Sequence, residues 1–131
     1  MKFIDPKNWK APKGYSNGVL CPPGGSALYI AGQVGWDEHG VFRDGFILQY
    51  RQALSNVVEV VLTAGGKTED ISRLVFYVTD KQEYLENIKE VGKIYREIMG
   101  KHFPAMALVE VNALLEDKAL VEIEGNAVIY K

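Results

Sequence analysis

Glu122 and Glu124 stand two residues apart in the run Val121-Glu122-Ile123-Glu124. In an extended chain this spacing puts both carboxylates on one side of a sheet. There the two can couple their protonation, or one can sit beside a water that attacks a substrate. A solvated strand edge is the ordinary setting for such a pair, so it names no reaction by itself. The candidate cations to meet a substrate's negative charge are Lys13, Arg43, Arg73 and His102, and sequence places none of them in a site. His39 and His102 are the only histidines and lack companions at metal-binding spacing, so no metal is expected. Cys21, beside Pro22-Pro23, has no partner and reads as a structural thiol. Ser26, Ser55 and Ser72 lie in no nucleophile elbow, and Gly24-Gly25 and Gly65-Gly66 form no phosphate loop. No cofactor is expected.

The elements that must position these groups follow from apolar period. Phe46, Ile47, Tyr50, Ala53, Leu54, Val57, Val58 and Val61 recur at three- and four-residue spacing, with Gly65-Gly66 as a stop, which predicts a helix over 46–64. Asp80 and Glu83 read as a capping box ahead of Tyr84, Leu85, Ile88, Val91, Tyr95, Ile98 and Met99, which predicts a helix over 81–99. Strand signals cover 17–21, 26–34, 72–79, 105–113 and 120–130. The order predicts an α+β fold: a single mixed β-sheet with both helices packed on one face, in one domain spanning 1–131.

Length and composition agree, since 131 residues with 47% apolar content suffice for one core. With 15 basic and 17 acidic residues the chain has a net charge of −2, which lacks the basic excess that phosphate backbones demand. Nucleic acid is therefore not expected as a partner. The first residues lack the apolar stretch of a signal peptide, no run reaches the roughly 18 apolar residues of a membrane span, and one cysteine asks for no oxidising compartment. The expected location is the cytoplasm, with no membrane partner.

Alternation assigns faces to the last two strands. Ala105, Ala107, Val109, Val111 and Ala113, with Val121, Ile123, Gly125, Ala127 and Ile129, make an apolar set suited to lie under helices. The other parity gives Met106, Leu108, Glu110 and Asn112, then Leu120, Glu122, Glu124, Asn126 and Val128. This mixed set is expected on the open face, either wetted or covered by further copies of the chain.

Motifs spread over nearly the whole sequence carry a family resemblance. Phe103-Pro104-Ala105-Met106-Ala107-Leu108-Val109-Glu110-Val111 and Val121-Glu122-Ile123-Glu124 resemble the closing strands of the Rid family, the reactive intermediate deaminases also called YjgF or L-PSP proteins. Ala11-Pro12 with Gly14-Tyr15-Ser16-Asn17-Gly18 resembles that family's opening segment, and Ile30-Ala31-Gly32-Gln33-Val34 its S-G-Q strand. Gln52-Ala53-Leu54 and Tyr77-Val78-Thr79-Asp80 are similar to its first helix and the strand leading into its second.

The resemblance implies a chorismate-mutase-like or YjgF-like fold that forms homotrimers around a barrel-like core, with ligand clefts between subunits. It implies hydrolytic release of ammonia from small imines or enamines. Tyr15 then takes the cleft tyrosine's place, and Glu122 that of the acidic residue that positions the water. Ala31, Gly32, Gly92, Met106 and Leu108 fall at ligand-binding positions, with Ala31 replacing a serine, Gly92 an asparagine and Met106 the arginine that grips a substrate carboxylate. An arginine fork suits that task and a thioether has no donor. Losing one partner of such a pair costs about 2 to 5 kcal/mol, so altered or reduced activity is implied. Three readings stay open: a hydrolase with shifted substrate choice, a non-catalytic binder of small ligands, and an endoribonuclease, which the charge balance opposes. Met106 and Leu108 read either as an apolar cleft floor or as interface packing.

Overall fold

A computed structural model describes residues 1–131. The first long helix, α1, runs Gly45–Thr63 and buries Phe46, Tyr50, Ala53, Leu54, Val57 and Val61, the stripe its period announces. Past its end Gly65 takes a φ of 88°, a left-handed conformation that costs a residue without Cβ little.

The second helical stretch is two helices, α2 at Lys81–Glu86 and α3 at Ile88–Met99. The Asp80 carboxylate accepts from the N–H groups of Gln82 and Glu83 at 3.0 and 3.2 Å, so the N-cap is as expected. Glu83 makes no reciprocal bond, and Glu110 instead accepts from the Lys81 N–H at 2.9 Å. The break falls at Asn87, whose side-chain amide donates to the Glu83 carbonyl at 2.8 Å. Local bonds of this kind compete with helix continuation.

Six strands are present: β1 Lys2–Ile4, β2 Gly18–Leu20, β3 Ser26–Val34, β4 Ile71–Val78, β5 Ala105–Glu110 and β6 Val121–Ile129. The main sheet has the order β3-β6-β4-β5, parallel between β4 and β5 and antiparallel elsewhere. It is the expected mixed sheet. The strands β1 and β2 form a separate antiparallel ribbon, and the exposed, three-residue β1 was too short to show a period.

One cluster of 19 buried residues joins the sheet to α1 and α3. From the sheet come Ile30, Leu74, Phe76, Val78, Val121, Ile123, Ala127 and Ile129, and from α3 come Val91, Ile94, Tyr95 and Met99. Each large side chain buried here contributes about 1.5 to 3 kcal/mol over its exposed state. Gly125 completes the inner face of β6, because a Cβ there would lie 2.7 Å from the Arg73 carbonyl oxygen. No helix is long and apolar enough to cross a membrane.

The faces of β6 are as expected, with Val121, Ile123, Gly125, Ala127 and Ile129 buried. Those of β5 are reversed. Leu74, Phe76 and Val78 face the helices, and the parallel register pairs them with Met106, Leu108 and Glu110. Met106 and Leu108 therefore pack against the core while Ala107 and Val109 lie on the open face. Leu120, also expected outside, precedes β6 and packs on the core. Both parities of β5 are apolar, so alternation alone could not tell them apart.

Gln49 is the buried polar residue that ties α1 to the entry of β6. Its amide donates to the carbonyls of Arg43 and Lys118 at 3.2 and 3.0 Å, and its oxygen accepts from the Leu120 N–H at 2.8 Å. Gln49→Ala strands three backbone groups and is expected to lower stability by about 2 to 4 kcal/mol, read as a shift in the urea midpoint. A Gln49→Leu variant that keeps the volume should lose as much; full stability in either variant contradicts this role.

Candidate functional site

The N-terminal segment is laced along the free edge of β5. The Ser16 N–H donates to the Pro104 carbonyl at 3.0 Å, and the Ser16 hydroxyl donates to the Phe103 carbonyl at 2.7 Å. Ser16 also forms a parallel bridge with Ala105. Gly14, at φ 75°, turns the chain just before this contact. Tyr15 is thereby held beside Met106 and Leu108 in a groove of about 260 Å³ that Phe76 and Tyr84 also line. The groove continues toward α3 into a second hollow of about 200 Å³, where Gly92, Tyr95 and Arg96 join Met106. Four of the residues singled out in the sequence, Tyr15, Gly92, Met106 and Leu108, thus meet in one place.

The other three, Ala31, Gly32 and Glu122, lie apart from that groove. The register between β3 and β6 shifts between Ile30 and Gln33, so Ala31 and Gly32 form a bulge of the sort that often re-aims side chains near sites. Glu122 lies over that bulge, and a Cβ on Gly32 would collide with its carboxylate. Its pairing partner on β4, Tyr77, is on the open side of the sheet, opposite in face to Phe76 and Val78. The groove with Met106 is on the helix side. Within one chain the seven residues make two half-sites on opposite faces.

Glu124 is engaged locally. The Tyr77 hydroxyl donates to its carboxylate, which pushes the Tyr77 pKa up because ionising the phenol would place two negative charges together. Glu122 accepts no hydrogen bond from the chain, so of the two carboxylates it is the one left free for a water. Within the chain the partner of Glu124 is therefore a phenol and not a basic group.

Charge in the groove is one-sided. Its lining holds Lys13 and Arg96 and no aspartate or glutamate. Burial pushes the Tyr84 hydroxyl pKa up, so it stays protonated and able to donate. Of the four candidate cations only Lys13 is there. The Arg43 Nε–H donates to Gln52 at 3.0 Å, Arg73 lies outside the groove's lining, and His102 is buried with Nε2 2.7 Å from the Ile71 carbonyl. Sequence reasoning missed Tyr84, read only as a core residue, and Arg96. Arg96 stands one helical turn after Gly92, but that spacing alone does not say where its guanidinium folds. A larger concavity of about 610 Å³, between the end of β3 and α1, is lined by Gln33, Trp36, Asp37 and Glu59 and holds none of the named residues.

A mixed sheet backed by helices on one face, with an edge groove and a half-buried, unpaired carboxylate on the other face, defines a YjgF-like α+β protein. Its comparisons agree. The family model described as Endoribonuclease L-PSP matches residues 7–129. A RutC family protein of Pyrococcus horikoshii is 34% identical over 109 residues, covering 82% of this chain and 81% of that protein. Among solved structures, the Rid-family protein of unknown function YyfB from Yersinia pestis superposes with a TM-score of 0.86 at 31% identity, covering 98% of both chains. The E. coli YjgF gene product gives 0.68 at 32% identity, and E. coli TdcF with bound serine gives 0.68 at 27%, each covering 98% of both chains. The chain belongs to the Rid/YjgF family, the one the L-PSP model describes.

The Tyr77 to Glu124 bond makes a pH prediction. Because the folded pKa of Tyr77 is raised, its contribution to stability is complete below the ordinary tyrosine pKa of about 10. It is lost as pH climbs through the folded value. The stability gap between wild type and Tyr77→Phe should stay constant from neutral pH to about 9 and shrink above about 10. Paired denaturation curves across that range check it, and a gap that widens with pH contradicts the bond.

Proposed function

We propose that the protein is a Rid-type hydrolase that releases ammonia from small reactive imines or enamines, with substrate choice altered by Met106, and that it works as a homotrimer. The observation that carries this reading is the division of the site. Tyr15 lines a groove of metabolite size, while Glu122 stands free on the opposite, open face. One chain cannot bring the two together, whereas the open face of a neighbouring copy can supply Glu122 to the groove of the next. A related protein bears bound serine, which supports an amino-acid-sized ligand.

The chemistry asks little of the protein. An enamine first takes a proton on carbon to become the imine. Water then adds to the imine carbon while Glu122 positions it and accepts its proton. The C–N bond of the resulting carbinolamine breaks, ammonia leaves and a carbonyl remains. Water and imine in, ammonia and carbonyl out, balance without a cofactor. Tyr15 and the protonated Tyr84 are donors beside the floor formed by Met106 and Leu108. A single free thiol at Cys21 fits a reducing, cytoplasmic setting.

A second reading, a binder without turnover, draws on that same floor, which offers a ligand packing where a family member would offer an arginine. The RNA reading finds little support, because the groove gathers two cations and the chain as a whole is acidic.

Ammonia release from freshly generated imines tests the proposal. Glu122→Gln is expected to lower kcat about 100-fold or more, with Tyr15→Phe less severe. No release above the uncatalysed rate across a broad panel sinks the hydrolase, and a ligand that raises Tm without turnover then selects the binder. Light scattering should report three times the 14.6 kDa chain mass; a particle of one chain mass removes the shared cleft.

A further inference from the structure

Arg96 is the arginine that lines the hollow beside Met106, and the family resemblance assigns it no role. It lies on α3 four residues after Gly92, and helical side chains lean toward the N-terminus, over the preceding turn. A Cβ at Gly92 would come within 3.2 Å of an Arg96 guanidinium nitrogen. The bare glycine therefore makes the room in which the guanidinium folds back over the helix. It does so at the wall of the hollow that Met106 floors. No carboxylate pairs with it, since the chain's arginine ion pair is Arg51 with Glu97, and no side-chain hydrogen bond holds it. Lys13 is on the same lining, and no acidic side chain is.

A glycine and an arginine one turn apart, facing a methionine on a strand, amount to a relocation of charge. A guanidinium at position 106 would rise from the sheet; here one comes from the helix, and the sheet offers an apolar surface instead. We propose that Arg96, assisted by Lys13, is the specificity-determining group that holds the carboxylate of the ligand, and that the ligand's apolar side chain lies on Met106 and Leu108. This rests on the groove being the small-molecule site of the preceding reading. The preferred substrates are then 2-imino acids with branched aliphatic side chains, in place of small or polar ones. A planar guanidinium with nothing else bound to it suits a planar carboxylate by paired N–H donors.

Binding, measured without turnover, separates this proposal from the hydrolase reading. The probe is 4-methyl-2-oxopentanoate, the oxo acid that hydrolysis of a leucine-derived imine leaves, titrated calorimetrically into the full-length assembled protein. Its methyl ester is the uncharged control. Arg96→Gln should weaken the oxo acid at least about 10-fold and leave the ester unchanged. Arg96→Lys, which keeps the charge and guards against a folding defect, should fall between. A merely structural role of Arg96 would weaken acid and ester alike, so the selective loss of the acid is the discriminating readout. Equal binding in wild type and Arg96→Gln overturns the proposal. So do an equal loss for acid and ester, absence of oxo-acid binding to the wild type, and tighter binding of inorganic phosphate than of the acid. Ammonia release by the wild type from imines lacking a carboxylate would meanwhile leave the hydrolase standing.

Discussion

The parallel ladder between β4 and β5 is the constraint on which the groove depends. Parallel neighbours point matched residues to the same side, so once Leu74, Phe76 and Val78 are buried against the helices, Met106, Leu108 and Glu110 must follow them. A slip of one residue would turn every side chain of β5 over. The register is pinned at its far end, where the Val111 N–H donates to the Val78 carbonyl at 2.8 Å and Glu110 accepts from the first residue of α2. A parallel pair also needs a crossover long enough to return the chain. Here α2 and α3 make that crossover, and they become the wall opposite the strand. Groove and ladder have one origin.

The sheet then keeps unlike charges apart. Lys13 and Arg96 border the helix-side groove, and Glu122 and Glu124 occupy the open side. The Tyr77 phenol takes up Glu124, and the bulge at Ala31 and Gly32 leaves space beneath Glu122. Small residues matter at each of these places because an added Cβ would meet a functional group. Gly32 would touch the carboxylate and Gly92 the guanidinium.

Much of the fold was legible because it rests on period. The stripe of α1, the exact span of β3, the N-cap at Asp80 and the faces of β6 are local patterns that burial enforces. The errors share another cause. Asn87 breaks the second helix through a bond to a carbonyl four residues back, which competes with a strong apolar period. The ribbon strand β1 depends on pairing with β2 rather than on any pattern of its own. The orientation of β5 depends on its neighbour. In the site, Tyr15, Gly92, Met106 and Leu108 could be named from motif resemblance, whereas Arg96 could not, because its relevance lies in where the guanidinium folds.

The order of residues alone determined the class of fold, the family and most of the positions worth examining, since apolar spacing and motif identity are written along the chain. Tertiary structure decided which side of the sheet each of those positions faces, which carboxylate stays free, and that a cation from α3 borders the methionine. Those are relations between segments distant in sequence, set by strand register and by the space that missing side chains leave, and neither quantity has a local signature.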